Sequence, residues 1–378
     1  MGGIMKKLLG ATLATLLFSA SLFAYNPPAG GQNVLRLTSP WLLTGAASAA
    51  GGPLFGITPA SIVNNPALTA WEQRITLDVG ATLFINSNTD DPYDGNKVGE
   101  GFQGGLLIPS RWCVSTILFQ GIWTEAFDMP ISDSVNILGG LSKDITDQVS
   151  VGMTAHFGYL YGDFVDSDWT ASAALGAYYN HGDIAFMQDV RFGVSLNNLG
   201  KMYSASEDSL GIKTAKDIRD AVDSGTPAAL SPSKTSLWPS IATLRTGVAA
   251  TMLKTDAVAL GLSLDFAFPG FQNFVTDVGL QLQIKDILKI SSAWEFDVQE
   301  FANDAKNLLP SVGISVKFVF RQNGSYMTKH GWEQSDMTVA AAWKQMYKEI
   351  NAISAGAILN LGMTDTKAPE ITLWGEDK

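Results

Sequence analysis

From Ile75 the sequence alternates between apolar residues and small or polar ones. Ile75, Leu77, Val79, Ala81, Leu83 and Ile85 fall on one face of an extended strand. Thr76, Asp78, Gly80, Thr82 and Asn86 fall on the other, with Phe84 the exception. A period of two predicts a β-strand, here long enough to cross a bilayer at a tilt. The signature recurs. Val190, Phe192, Val194 and Leu196 alternate with Arg191, Gly193, Ser195 and Asn197. Val258, Leu260, Leu262, Leu264 and Phe266 alternate with Ala259, Gly261, Ser263 and Asp265. The pattern returns at 278–284, 312–318 and 354–363. The partner face carries Gly, Ser, Thr, Asn, Gln and Asp, where the outer face of a sandwich would carry more Lys and Glu. That combination predicts an all-β fold: a transmembrane antiparallel β-barrel of about fourteen strands, with lipid outside and a crowded interior.

The connections support this reading. Short turns are expected at 144–147, 254–256 and 285–286, and long loops at 87–99, 198–239 and 299–310, as in an outer-membrane barrel. A charged stretch at 214–223 predicts one solvated surface helix inside the longest loop. Asn323-Gly324 reads as a hairpin turn and 344–349 as another, while 326–332 fits either strand or loop, so the last segments break the parity. Trp112, Trp123, Tyr159, Tyr161, Trp169, Tyr178, Tyr179, Trp294 and Phe320 lie near strand ends and predict an interfacial girdle.

Before the barrel region, 72–365, stand two other segments. Residues 1–24 read as a secretory signal peptide: Lys6 and Lys7, an apolar core at 8–18, then a small-residue cleavage site before Tyr25. Residues 25–71 form a Pro/Gly leader and then an apolar stretch at 38–71, rich in Ala, Gly and Pro. Pro53 and Pro59 interrupt any long helix there, and Asn64-Asn65-Pro66-Ala67 is a turn signal. So apolar yet so broken a run predicts a compact plug, or hatch, inside the lumen. Its best candidates for apolar ligand contact are Leu42, Leu43, Leu54, Phe55 and Ile57, with packing of the plug against the wall the alternative role. The tail, 366–378, lacks the aromatic last residue common in such barrels. Either Trp374 serves instead, or the chain was cut, or a further segment followed.

Composition narrows the function. Net charge is -11 and charged residues are only 16%, which disfavours a nucleic-acid partner. Mean hydropathy is +0.12, yet no apolar run of spanning length follows the N-terminus. The single cysteine, Cys113, excludes an internal disulfide framework and is expected to be a buried strand thiol. His156, His181 and His330 are scattered and no cysteine stands near them, so no metal site, cofactor or catalytic group is nominated. Asp163, Asp166 and Asp168, or Asp90, Asp91 and Asp94, could hold calcium, but solvated acidic loops explain them more simply.

Three motifs, in order, carry a family resemblance: Asn65-Pro66-Ala67, Asn197-Asn198-Leu199-Gly200 and Leu244-Arg245-Thr246-Gly247. With the plug and repeated strands they make the chain resemble the FadL-type outer-membrane transporters of hydrophobic compounds, with PorV-type proteins as relatives. The resemblance implies a fourteen-stranded barrel in the outer-membrane lipid and closed by an N-terminal hatch that holds the Asn-Pro-Ala step. It also implies an apolar ligand pocket and sideways release through the wall. The expected function is non-enzymatic uptake of long-chain fatty acids or other hydrophobic ligands. The alternatives are a PorV-like scaffold for a secreted or surface protein, and a general porin, which a plug would block.

Overall fold

The computed structural model describes residues 33–44, 48–86, 98–123, 133–161, 167–201, 242–271, 273–302, 308–319, 335–346 and 350–362. The expected signal peptide, the surface helix at 214–223, the Asn323-Gly324 turn, the segment 326–332 and the tail 366–378 lie outside the described residues. Among those described, fourteen strands form one closed antiparallel barrel. They are β1 Ile75–Asn86, β2 Val98–Pro109, β3 Val114–Trp123, β4 Asp133–Asp144, β5 Val149–Tyr161, β6 Asp168–Ile184 and β7 Met187–Lys201. After 202–242 come β8 Thr243–Lys254, β9 Val258–Phe268, β10 Val275–Ile284, β11 Leu288–Asp297, β12 Ser311–Val319, β13 Asp336–Met346 and β14 Ile350–Leu361. Each strand pairs with its sequence neighbours, and β1 pairs with β14 from Ile75↔Leu361 to Asn86↔Ile350. Closure leaves no free edge, so every strand has a hydrogen-bonding neighbour on both sides.

The alternation sorts inside from outside. Leu77, Val79 and Leu83 are about half exposed on the outer face, while Thr76, Asp78 and Thr82 are buried inside. Phe84, the exception to the pattern, points inward and packs with Leu37, Met346 and Ile350. The alternation fails at Val190, which is buried beside the inward Arg191. The β6–β7 ladder shifts register around Gly182, and the β7–β8 ladder shifts between Gln188 and Arg191. A bulge of this kind turns a strand over its own axis and breaks strict alternation.

One end of the barrel carries the short turns 110–113, 145–148, 185–186, 255–257 and 285–287. Lys285 and Asp286 both have positive φ (50° and 53°), the geometry of a tight hairpin. The parity reverses at the end of the chain: 320–335 connects β12 to β13 at the short-turn end, and 347–349 connects β13 to β14 at the other. The expected turn at 344–349 is therefore smaller, because Lys344 and Met346 still pair within the ladder. The expected loop at 299–310 begins in a short helix, α2 (Val298–Ala302), and β2 starts at Val98, so that it takes the last two residues of the expected loop 87–99. Cys113 is not a buried strand thiol. It is partly exposed in the β2–β3 turn, where Ser110 Oγ donates to its carbonyl at 2.6 Å.

Leu262 faces outward near the middle of β9, and Ser263 faces inward. Leu262→Arg is expected to cost roughly 2–4 kcal/mol in refolding into lipid vesicles, because the guanidinium would meet hydrocarbon. Ser263→Ala is expected to cost about 1 kcal/mol or less. The reverse order in urea titrations would show that the faces are inverted.

Candidate functional site

The described residues of 33–71 do not join the sheet. They run as short turns: Val34–Arg36, helix α1 (Pro40–Leu43), Pro59–Val63 and Pro66–Trp71. The prolines start these turns. Pro40, Pro59 and Pro66 occupy first-turn positions, where a missing N–H costs nothing and the fixed φ suits the helix. Asn33 and Asn65 cap two of them through their side chains, and on a third Ser61 Oγ accepts from Thr58 N–H at 3.1 Å. The turn expected at 64–67 is thus a cap and a helix start.

This segment packs against the inward face of strands all around the wall. Inward glycines mark its closest approaches. A Cβ on Gly80 (β1) would lie 2.9 Å from the Thr38 carbonyl oxygen, and one on Gly105 (β2) 2.6 Å from Pro59 Cβ. One on Gly152 (β5) would lie 2.5 Å from the Pro66 carbonyl, and one on Gly356 (β14) 3.0 Å from Pro40 Cγ. On Gly193 (β7) it would collide with the Ala49 carbonyl. Real Cβ atoms essentially never approach within 3.0 Å, so at 80, 105, 152 and 193 only glycine lets the segment seat there, and at 356 the fit is tight.

Wall side chains then satisfy the segment's backbone. Gln120 Nε2 donates to Leu35 O at 2.8 Å, Thr82 Oγ1 to Leu37 O at 2.9 Å, Ser195 Oγ to Asn64 O at 2.6 Å and Ser150 Oγ to Ala67 O at 2.9 Å. Arg191, fully buried, donates to Pro53 O at 2.8 Å and lies 5.1 Å over the Phe55 ring. Buried carbonyls left without such donors would each cost about 1–3 kcal/mol.

The three motifs that carried the resemblance meet here. Asn65 Nδ2 donates to Ala49 O (2.8 Å) and to Ala177 O of β6 (3.0 Å), while its Oδ1 accepts from Ala67 N. Asn197 Nδ2 reaches Asn64 O at 3.3 Å. Arg245 belongs to a charge network that ties the segment to five strands. Arg36 contacts Asp277 (3.2 Å) and Glu295 (3.3 Å), Arg245 contacts Asp265 and Asp277 (2.7 Å), and Lys344 contacts Glu295 (3.1 Å). Burial works against the Arg36 charge, but Asp277 and Glu295 outweigh it and hold the guanidinium above its ordinary pKa.

Between this segment and β10–β14, at the short-turn end, lies a cavity of about 380 Å³. Trp41, Leu54, Phe55, Ile57 and Trp71 supply much of its apolar lining. Phe55 and Trp71 are held by Tyr178, whose ring centroid lies 5.5 Å from one and 5.6 Å from the other. Of the five expected ligand contacts, Leu54, Phe55 and Ile57 line this cavity. Leu42 and Leu43 turn away, Leu42 into a cluster with Ile62 and Leu118 and Leu43 into one with Phe84 and Met346. They are packing residues because successive positions of α1 face different parts of the wall. The cavity is also less apolar than the resemblance implied: Arg74, Lys289, Lys317 and Asp336 line it too, contributed by the polar inward rows. Sequence reasoning missed these four. The available signal was that Lys317 falls on an inward row otherwise made of small residues, Ser311, Gly313 and Ser315.

The girdle expectation needs one correction. Tyr159, Trp169 and Tyr179 are exposed on the outer wall, but Tyr178 is buried inside. Of the calcium candidates, Asp168 pairs with Lys201 at 2.9 Å. Asp163, Asp166, Asp90, Asp91, Asp94 and His330 lie outside the described residues. His156 points inward and meets Asn136 Oδ1 at 3.0 Å.

No protein-family model matches the sequence, and no curated protein does. Solved structures similar to the chain include the Pseudomonas putida toluene transporter TodX, at 9% identity and TM-score 0.49, covering 88% of this chain and 97% of that one. The Ralstonia pickettii toluene transporter TbuX is similar at 11% identity and TM-score 0.48, covering 86% and 98%. A Pseudomonas aeruginosa FadL homologue follows at 12% and 0.44, covering 86% and 97%. Likeness at this level carries no argument about function, and the barrel rests on its own strand pairing.

Proposed function

We propose that this chain is a non-enzymatic outer-membrane channel for uptake of hydrophobic small molecules, long-chain fatty acids among them, with residues 33–71 as its hatch. The observation that supports it is the cavity lined by Leu54, Phe55 and Ile57 inside a closed barrel whose outer rows are apolar. Such solutes dissolve poorly in an open aqueous pore. Burial against the segment would capture them at about 0.8 kcal/mol per CH₂. Movement of the segment then opens a path, and sideways release through the wall belongs to the same proposal by resemblance alone.

Equilibrium binding of labelled oleate to the purified protein tests this reading. Saturable binding that falls when Phe55→Ala and Ile57→Ala are combined is the expected result. Absence of saturable binding by the intact protein would overturn it.

A further inference from the structure

Asp265, Asp277 and Glu295 stand in one row across the wall. Asp265 of β9 is the cross-strand partner of Asp277 of β10, and Asp277 is that of Glu295 of β11. The first two are buried and Glu295 is nearly so. Like charges set directly opposite one another are destabilising, so three carboxylates in a row need cations between them. The wall sends two. Arg245 of β8 contacts Asp265 and Asp277, and Lys344 of β13 reaches Glu295 past the intervening β12. The third comes from the inner segment: Arg36 joins Asp277 to Glu295 at 3.2 and 3.3 Å. Within this network the charges balance, three against three, with Arg36 in place.

Arg36 also spans the lumen. The turn that carries it is held from the far side, where Gln120 of β3 donates to Leu35 O and Thr82 of β1 donates to Leu37 O. In the ring of fourteen strands β10 stands seven places from β3, directly across the barrel. Thr82, Gln120, Asp265, Asp277 and Glu295 all lie in the half of their strands away from the short turns. One residue therefore crosses that half of the lumen, its backbone fixed to one wall and its guanidinium to the other. A guanidinium suits this place, because its planar fork serves two carboxylates at once. Residues 59–71 are seated by other means, the close approaches at Gly105 and Gly152 and the bonds from Ser150 and Ser195.

We propose that Arg36 is an autoinhibitory bar. By neutralising the carboxylate row it pins the turn Val34–Arg36 across the lumen and shuts the approach to the cavity from the end opposite the short turns. Its withdrawal leaves Asp277 and Glu295 facing each other with less positive charge between them, so the row itself draws the bar back. What the bar restrains, the passage of a hydrophobic solute, rests on the proposed function.

The test joins peptide-resolved hydrogen exchange to uptake of labelled oleate by liposomes, both on the full-length protein. Arg36→Met keeps the reach of the side chain and removes its charge. Exchange at 33–44 is expected to quicken by about tenfold or more, exchange at 59–71 to stay as it is, and uptake to rise several-fold. Guanidinium ion at millimolar concentration should reverse both changes by filling the vacated place. Urea, neutral and of similar shape, should reverse neither. If Arg36→Met does not assemble, Arg36→Lys takes its part: it keeps the charge without the fork and should show a smaller local quickening with the same reversal. Unchanged exchange at 33–44, equal quickening at 59–71, equal action of guanidinium and urea, or no gain in uptake by a protein that does transport would each overturn the bar. Absence of uptake by every form overturns the proposed function instead, and the exchange results then judge the bar alone.

Discussion

Deletion of residues 38–70 is expected to leave a barrel that folds and conducts. The described residues of the deleted stretch contribute no strand. The first ladder begins at Ile75, and the pairing that closes the wall is between β1 and β14. Removing the segment uncovers an inward face of Thr76, Asp78, Gln103, Gln120, Asp265 and Asp277, which water can solvate. The glycines at 80, 105, 152, 193 and 356 that now seat the segment's backbone would leave the lumen wide. Planar-bilayer recordings should show channel steps that the intact protein lacks, and liposomes should leak small hydrophilic dyes. Saturable fatty-acid binding should vanish, because Leu54, Phe55 and Ile57 go with the segment. A deletion variant that folds but stays closed would show that something other than this segment occludes the lumen.

The second large effect is expected from Asn65→Ala. Asn65 is fully buried, and its side chain makes three hydrogen bonds. Alanine removes the cap on Ala67 N and the donor to Ala49 O, leaving buried backbone groups without these partners at roughly 1–3 kcal/mol each. In the wall only the bond to Ala177 O of β6 is lost and the strand ladders stay paired, so heat-modifiable migration should be unchanged. The loss falls on the segment. Hydrogen exchange in residues 48–71 should speed up by about tenfold or more, while exchange in β1 and β14 stays as before. Uniform acceleration across barrel and segment would mean that the two open as one unit and that the segment cannot move by itself.

Much of the barrel was legible in the sequence because its two faces meet different solvents. In β1, β9, β10, β12 and β14, every second residue is apolar and the partner row is small or polar, apart from Phe84 in β1 and Ile350 and Ile358 in β14. The same partner row foretold a crowded interior, since Gly80, Gly152 and Gly193 are small where the segment's backbone approaches. The reading failed where local pattern is not what decides. At Val190 a bulge rotates the strand, and a bulge depends on the register of both neighbours. At the last hairpins, loop length misled because the long and short connections exchange ends. The prolines at 40, 59 and 66 are breakers in a long helix but starters in a short one.

The site was only half legible. Leu54, Phe55 and Ile57 stand together in the sequence and together in space. Arg74, Lys289, Lys317 and Asp336 come from β11, β12, β13 and the entry to β1, and meet only when the barrel closes. No local signal could join them.

The most direct test of the account follows a labelled long-chain fatty acid into liposomes that carry the intact protein. The account predicts saturable uptake, faster than into empty liposomes, while a small hydrophilic dye trapped inside is retained. Dye loss without saturable uptake would contradict it and make the barrel an open porin. Neither binding nor uptake of the fatty acid, with a defined protein partner co-purifying, would contradict it in the other direction and make the barrel a scaffold.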